Sequence, residues 1–332
     1  MADTITYLAD HQAEVADAAR LVKPHIRRTP LLTTDLDPNL RLKPECFQVT
    51  GSFKPRGAFN AVLRLRERKP EVTGVVAVSS GNHAQAVALA ARTAGLKALI
   101  LIPEDASPTK MAATRALGAE VVSDGVTFEN RDRLAEQVVS ERGYALIHPY
   151  DVWDVIHGQG TAALELLEDE PELGAVLTPV GGGGLLCGTA LAVKSHDPAV
   201  RVVGVEPKQA DDAARTFKAR TLQRLEAAPQ TIADGVRTVA IGRRNFEVMV
   251  ENRLIDDIIT VSEREIEAAL LTAWTRLKLA LEPTGALALA GYLKSHPAGG
   301  DGGDRRTGKP TALILTGGNF PPNLVARLLA GK

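Results

Sequence analysis

Four successive glycines are the clearest chemical signal in this sequence. Gly181, Gly182, Gly183 and Gly184 lie in TPVGGGGLLCGTALAVK (178–194), between a predicted strand and a predicted helix. The N–H groups of such a turn, with the helix dipole behind them, form a cradle for an anion such as phosphate. A tight turn is the alternative, but four glycines cost more backbone entropy than a turn requires. The spacing also fails the dinucleotide-binding fingerprint, since leucine or cysteine replaces its last glycine.

A second polar turn lies in SSGNHAQAVA (79–88), again between a strand and a helix. Ser79 or Ser80 is explained equally well as a cap of that helix. Asn82 and His83 are less easily explained in this way. The turn is therefore a second candidate for ligand binding.

A lysine and a third turn complete the set. Lys54 lies in TGSFKPRGAFN (50–60), between a glycine turn and a predicted helix, with Phe53 beside it. An average lysine is a solvated surface residue, so this one matters only if the other turns lie near it. The third turn, ILTGGNF (314–320), ends a strand with a hydroxyl, two glycines and an amide, and alone it is a weak signal.

The elements that position these residues alternate along the chain. Short apolar runs such as GVVAVSS (74–80), KALILIP (97–103) and GAVLTPV (174–180) are followed by Ala- and Leu-rich helical stretches. Apolar strands separated by helices predict an α/β fold with parallel strands that are covered on both faces. Ligands bind at the carboxyl ends of such strands, so we expect the two glycine turns to face one crevice.

Composition excludes several classes of protein. The 332 residues are enough for two domains, and 39 basic against 40 acidic residues leave a net charge of −1. This balance argues against binding to nucleic acid or to an anionic membrane. We find no signal peptide and no apolar run of membrane-spanning length. Because two cysteines, Cys46 and Cys187, do not make a disulfide framework, we predict a cytoplasmic protein.

Together the segments resemble the fold-type II family of pyridoxal-phosphate (PLP) enzymes, in the branch of threonine/serine dehydratases (ammonia-lyases) and serine racemase. The matching segments run nearly end to end: RRTPLL (27–32), TGSFKPRGA (50–58), SSGNHA (79–84), PEDASPTK (103–110), HGQGTAALE (157–165), PVGGGG (179–184), GVEPKQADDA (204–213), ADGVRT (233–238), EPTGALALA (282–290) and TGGN (316–319).

The resemblance implies an architecture of the tryptophan synthase β type. It implies two three-layer domains with mostly parallel sheets, namely a large cofactor-binding domain (1–70 and 150–332) and a small mobile domain (71–149). The cofactor is expected in the cleft between them, where motion of the small domain closes over the substrate. It also implies a homodimer or a higher homo-oligomer.

The resemblance also gives roles to individual residues. Lys54 is the expected Schiff-base lysine, which must be neutral to condense with the cofactor aldehyde and which then acts as a base. Phe53 flanks the ring and Asn82 approaches its phenolic oxygen. The glycines 181–184 hold the cofactor phosphate. Thr316 offers a hydroxyl to the pyridine nitrogen, which favours loss of a β-substituent over transamination.

The implied reaction is elimination of water from L-threonine or L-serine, which gives a 2-oxo acid and ammonia. The substrate carboxylate is expected on the amides of the turn formed by Ser79, Ser80, Gly81, Asn82 and His83, at a helix N-terminus. In racemase-like members a serine at the place of Ser80 handles a proton on the face opposite the lysine. Serine or aspartate racemisation and dehydration of 3-hydroxyaspartate are the alternatives.

A divalent-cation site is implied by GVEPKQADDA (204–213). Glu206, the backbone carbonyl of Ala210 and Asp212 match the ligands of the racemase branch, and such hard oxygen ligands suit Mg²⁺ or Ca²⁺. Solvated acidic residues are the alternative explanation. A structural or activating role is expected, because the site should lie away from Lys54.

Some positions depart from the family pattern or leave two interpretations open. Tyr150 and Trp153, expected beside the mouth of the site, and Pro44 and Cys46 replace the residues common in relatives, which leaves the preferred substrate open. Arg131 matches an arginine near the substrate of racemases, or is an exposed helix residue.

Rival functions also follow from the sequence. β-Replacement of the cysteine-synthase type and a non-catalytic sensor are less favoured, since the motifs differ from the former and a binder needs no base. The chain stops soon after TGGNF, so inhibition by isoleucine through a regulatory domain is not expected.

Overall fold

The computed structural model describes residues 2–79, 81–104, 106, 108–296, 303–304, 306–320 and 322–330. Ser80, one of the predicted catalytic residues, lies outside the described residues. Among the residues in these ranges, no helix is both long and apolar enough to cross a membrane.

Two parallel sheets organise the chain. The larger sheet has the order β1-β2-β10-β7-β8-β9, and only the β1–β2 pair is antiparallel. The smaller sheet has the order β5-β4-β3-β6, and all its pairs are parallel. The strands are β1 (Leu32–Thr33), β2 (Leu40–Pro44), β3 (Gly74–Val78), β4 (Lys97–Leu101), β5 (Glu120–Val122), β6 (Ala145–Leu146), β7 (Ala175–Pro179), β8 (Arg201–Pro207), β9 (Asp257–Val261) and β10 (Thr311–Leu315).

Helices follow most of the strands and cover the sheets. They are α1 (Ala2–Val22), α2 (Lys54–Arg68), α3 (Asn82–Thr93), α4 (Pro108–Ala116), α5 (Arg131–Arg142), α6 (Trp153–Asp169), α7 (Gly184–His196), α8 (Asp212–Ala219), α9 (Arg243–Phe246), α10 (Glu263–Thr272), α11 (Leu287–Ser295) and α12 (Pro322–Leu329). Short 3-10 segments include Asp234–Val236 and Thr284–Ala286.

The larger sheet is apolar on both faces. In β10, Ala312 and Ile314 belong to the hydrophobic cluster that contains residues of α6 and α7. Leu313 and Leu315 belong to the cluster on the other face, with residues of α10 and α11. Alternate residues of one strand therefore enter two cores, as expected for a parallel sheet between two helical layers. The predicted α/β fold with mostly parallel sheets is confirmed.

Glycines let α6 contact two other helices through bare backbone. A Cβ on Gly158 would lie 2.5 Å from the carbonyl oxygen of Arg56 in α2. A Cβ on Gly160 would lie 2.7 Å from the carbonyl oxygen of Gly188 in α7. Real Cβ atoms do not approach other atoms this closely, so glycine is required at both crossings. The helices that begin at Lys54 and at Gly184 are thus both fixed against α6.

A buried ionic network holds α2 against the larger sheet. Arg56, which is fully buried, donates to both carboxylate oxygens of Glu45 and to both of Glu165, each at 2.8 Å. Lys43, also buried, donates to Glu165 at 2.8 Å and to the carbonyl of Thr29 at 2.7 Å. Buried charges are tolerated only when they are paired and hydrogen-bonded in this way.

The smaller sheet is built from residues 74–146, between segments that form the larger sheet. The predicted division into a large domain (1–70 and 150–332) and a small mobile domain (71–149) concerns independent motion. That division stays a prediction.

Candidate active site

A cleft of about 860 Å³ lies where turns from both sheets meet. It brings together most of the residues singled out in the sequence, although they come from four separate segments. The predicted residues that line it are Phe53, Lys54, Ser79, Gly81, Asn82, His83, Gly181, Gly182, Gly183, Gly184 and Thr316. The two glycine turns do face one crevice, as the strand order predicts.

Lys54 is the first residue of α2 and points its amine into this cleft. Its Nζ donates to the carbonyl oxygen of Pro149 at 3.1 Å and lies 5.1 Å from the centroid of the Phe53 ring. Burial lowers the pKa of the Lys54 amine to about 8. Desolvation penalises the charged form, so a larger share of this amine is neutral near pH 7 than for an ordinary lysine.

The four-glycine turn is shaped by Tyr150 and Asn245. Gly183 has a φ of +99°, in the region that favours glycine, and α7 begins at the next residue. A Cβ on Gly182 would lie 2.2 Å from the ring of Tyr150, so this ring lies directly against the turn. The Asn245 amide donates to the carbonyl oxygens of Gly182 at 2.8 Å and of Tyr150 at 3.0 Å. No sequence signal pointed to Asn245.

Thr316 follows β10 on the opposite wall. Its carbonyl oxygen accepts from the backbone N–H of Phe53 at 3.0 Å, which ties the lysine turn to the end of the strand. Its hydroxyl is buried and has no hydrogen-bond partner among the described residues. A buried polar group without a partner costs free energy, so this hydroxyl is suited to a ligand atom.

The polar turn before α3 presents a helix N-terminus to the cleft. The Ser79 hydroxyl accepts from the N–H of Gly81 at 3.2 Å, and no side chain caps α3. Nε2 of His83 lies 2.9 Å from the carbonyl oxygen of Ile147. A carbonyl only accepts, so Nε2 carries the proton. Burial and the nearby Lys54 charge lower the pKa of His83 to about 3, and the ring is therefore neutral.

Asn82 makes two side-chain contacts that connect separate parts of the chain. Its Nδ2 donates to Oε1 of Glu282 at 2.7 Å, and its Oδ1 accepts from Nδ2 of Asn319 at 2.8 Å. Burial, reinforced by the charge of Asp234, raises the pKa of the Glu282 carboxyl to about 8, so Glu282 carries a proton at neutral pH. Glu282 lines the cleft and lies in the quoted segment EPTGALALA, but it had no predicted role.

Comparison with known proteins identifies the family. The pattern of the family described as "Pyridoxal-phosphate dependent enzyme" matches residues 22–317. The chain belongs to this family. It is 41% identical over 324 residues to an L-threo-3-hydroxyaspartate ammonia-lyase of Saccharomyces cerevisiae, with 96% of each chain covered. It is 38% identical to a serine racemase of Dictyostelium discoideum, with 95% of this chain and 97% of that one covered.

Solved structures agree with this assignment. A threonine deaminase from the organism abbreviated T.th. superposes with a TM-score of 0.85 at 48% identity, and the match covers 93% of this chain and 98% of that one. The predicted membership in the fold-type II group of PLP enzymes is confirmed.

The residues of the cleft fit PLP on three independent features. A lysine amine with a lowered pKa is present for the aldehyde. A glycine turn at the start of α7, which no Cβ could enter at Gly182, is present for the phosphate. A buried hydroxyl without a partner is present for the ring nitrogen.

The predicted cation ligands lie outside this PLP cleft. Glu206 is in β8, Asp212 begins α8, and Ala210 lies in the turn between them. Oε2 of Glu206 and Oδ2 of Asp212 are buried and have no hydrogen-bond partner among the described residues. Burial raises the pKa of Glu206 well above its ordinary value and that of Asp212 to about 7. No group of three His, Cys, Asp or Glu side chains within the described ranges forms a cation site.

Arg131 and Tyr150 line the PLP cleft, whereas Trp153 does not. The Arg131 guanidinium carbon lies 3.8 Å from the centroid of the Phe128 ring, and its buried Nε lacks a hydrogen-bond partner among the residues described. Arg131 is therefore a wall residue and not a solvated helix arginine. Trp153 stacks on His157, with a 5.6 Å centroid distance, instead of lying at the mouth of the site.

Proposed function

We propose that this chain is a PLP-dependent ammonia-lyase that removes water from L-threonine and L-serine and releases a 2-oxo acid and ammonia. The observation that carries this proposal is the pairing of Lys54 with Thr316 in one cleft. The lysine supplies a base, and the uncharged hydroxyl leaves the cofactor ring suited to elimination.

Five groups of this chain would hold the cofactor. Lys54 binds its aldehyde covalently, and the N–H groups of the glycines 181–184 bind its phosphate. Phe53 flanks the ring, Asn82 donates to the phenolic oxygen, and Thr316 contacts the ring nitrogen. When bound, PLP withdraws electrons from the substrate Cα.

Substrate binding and proton transfer would depend on neighbouring residues. The N–H groups of residues 79–83 bind the substrate carboxylate, because the N-terminus of α3 favours an anion. His83 is neutral and adds no charge to that site. Once the substrate has displaced Lys54, its Nζ takes the Cα proton.

A second candidate substrate is L-threo-3-hydroxyaspartate, and Arg131 is the observation that favours it. Its guanidinium lines the cleft, and the nearest ion-pair contact is a long one of 3.9 Å from Nε to Asp132. An arginine with free donors suits the second carboxylate of such a substrate. Arg131→Leu should lower kcat/KM for 3-hydroxyaspartate by at least about tenfold and leave that for L-serine within about twofold. Equal losses for both substrates would contradict this role.

We also propose that Glu206, Asp212 and the carbonyl of Ala210 bind Mg²⁺ or Ca²⁺. The two buried carboxylate oxygens without partners support this proposal, because carboxylates and carbonyls are the ligands that these ions prefer. Either ion should raise the apparent melting temperature, and Glu206→Gln should abolish the rise. A melting temperature that is unaffected by both ions would exclude the site.

The deciding experiment for the function joins an adduct at Lys54 to product formation. Borohydride reduction of the enzyme loaded with PLP should leave the cofactor mass on the peptide that contains Lys54. L-Threonine should then yield 2-oxobutanoate, and Lys54→Ala should reduce that rate at least ~10³-fold. D- and L-serine scored for enantiomer detect racemisation, and O-acetylserine with sulfide detects β-replacement. If either of these rates exceeds oxo-acid release, the dehydratase proposal is wrong.

A further inference from the structure

A chain of side-chain hydrogen bonds runs behind the cleft from Thr50 to Glu282. Nδ2 of Asn319 donates to the carbonyl oxygen of Thr50 at 2.7 Å and to Oδ1 of Asn82 at 2.8 Å. Nδ2 of Asn82 then donates to Oε1 of Glu282 at 2.7 Å. These residues are distant in sequence, and only Asn82 had a predicted role toward the cofactor.

The chemistry of the first acceptor fixes the orientation of every group in this chain. A backbone carbonyl only accepts, so the atom of Asn319 that faces Thr50 must be its NH₂ group. The second N–H of that group faces Asn82, whose nearest atom must therefore be the carbonyl oxygen. The Asn82 amide is thereby oriented, and its NH₂ group points toward Glu282.

This orientation leaves one donor of Asn82 for a ligand. One N–H of its NH₂ group is used by Glu282, and the other donates to none of the described residues. Asn82 lines the cleft. It therefore presents a donor and not an acceptor, which selects an oxygen that carries negative charge.

The residues that hold Asn82 belong to the other part of the fold. Asn82 begins α3, which packs on the smaller sheet, whereas Asn319 follows β10 of the larger sheet. The backbone N–H of Glu282 donates to the carbonyl oxygen of Gly317 at 3.0 Å, next to the same strand. Its carboxyl group is confined, because a Cβ on Gly317 would lie 2.6 Å from Oε1.

We propose that Glu282 and Asn319 are positioning residues that hold the Asn82 amide from two sides and so leave a single N–H for the phenolic oxygen of PLP. This inference rests on the proposed role of Asn82. It adds two residues to the cofactor site that need not touch the cofactor themselves.

The test measures PLP affinity by the absorbance of the bound cofactor, with the apo-proteins checked first by far-UV circular dichroism and thermal unfolding. Glu282→Leu removes the acceptor, and Asn319→Asp keeps the shape but removes both donors. Each should weaken PLP binding about tenfold, the usual effect of leaving a buried polar group without its partner. Glu282→Gln keeps a neutral acceptor of the same shape and should remain within about twofold of the wild type.

A double-mutant cycle with Asn82→Ala separates positioning from general destabilisation. If Glu282 acts through Asn82, Glu282→Leu should change PLP affinity less than about twofold in the Asn82→Ala background. The same tenfold loss in both backgrounds, or no loss in either, would overturn the inference. Failure of the wild type to bind PLP at Lys54 would instead refute the proposed function, so the two failures are distinguishable.

Discussion

At the scale of single residues, the environment of Lys54 makes a pH-dependent prediction. Burial lowers its pKa to about 8, so about one molecule in ten has a neutral amine at pH 7, against about one in three thousand at the ordinary value. Only the neutral amine attacks an aldehyde. The rate of adduct formation by the apo-protein should therefore rise with pH to a midpoint near 8, measured by stopped-flow absorbance with PLP. A short lysine peptide is the control, and a shared midpoint above about 10 would contradict the prediction.

At the scale of elements, the turn that begins α7 predicts unequal effects of two similar substitutions. A Cβ on Gly182 would lie 2.2 Å from the Tyr150 ring, whereas a Cβ on Gly181 would lie 3.2 Å from the nearest atom, Cα of Val236. Gly182→Ala must displace the ring or the turn, so PLP affinity should fall at least about tenfold, and more than in Gly181→Ala. Equilibrium dialysis measures both. Removing the ring in Tyr150→Ala/Gly182→Ala should recover part of the loss, and a double variant no better than Gly182→Ala would exclude this contact as the cause.

At the scale of the whole molecule, the ionic network around Arg56 predicts where stability is lost. Arg56→Met would leave Glu45 and part of Glu165 as buried carboxylates without their partner. The free energy of unfolding should fall by about 3–5 kcal/mol in urea titrations. Arg28, which pairs with Glu168 and Asp169 and is half exposed, is the matched control, and Arg28→Met should cost at most about 1 kcal/mol. Similar losses in both variants would show that burial does not control the energetics.

The same three scales show what the sequence could predict. The alternation of apolar strands and helices predicts the α/β fold, because burial on both faces leaves a direct mark on composition. The candidate residues before Lys54 and α7 could be found because glycine turns at strand ends are local patterns. Contacts between distant segments leave no such pattern. Glu282 meets Asn82 across 200 positions, Asn245 reaches the glycine turn from α9, and Trp153 packs on His157 instead of the cleft.

The two glycine crossings of α6 have a consequence for how this enzyme can change. Because α2 and α7 both touch α6 through main chain alone, the separation between the Lys54 amine and the anion cradle is set without any adjustable side chain. Arg131 and Tyr150 lie on other segments of the wall. New substrates can therefore be accommodated by exchanging residues there, while the spacing that grips the coenzyme is inherited unchanged.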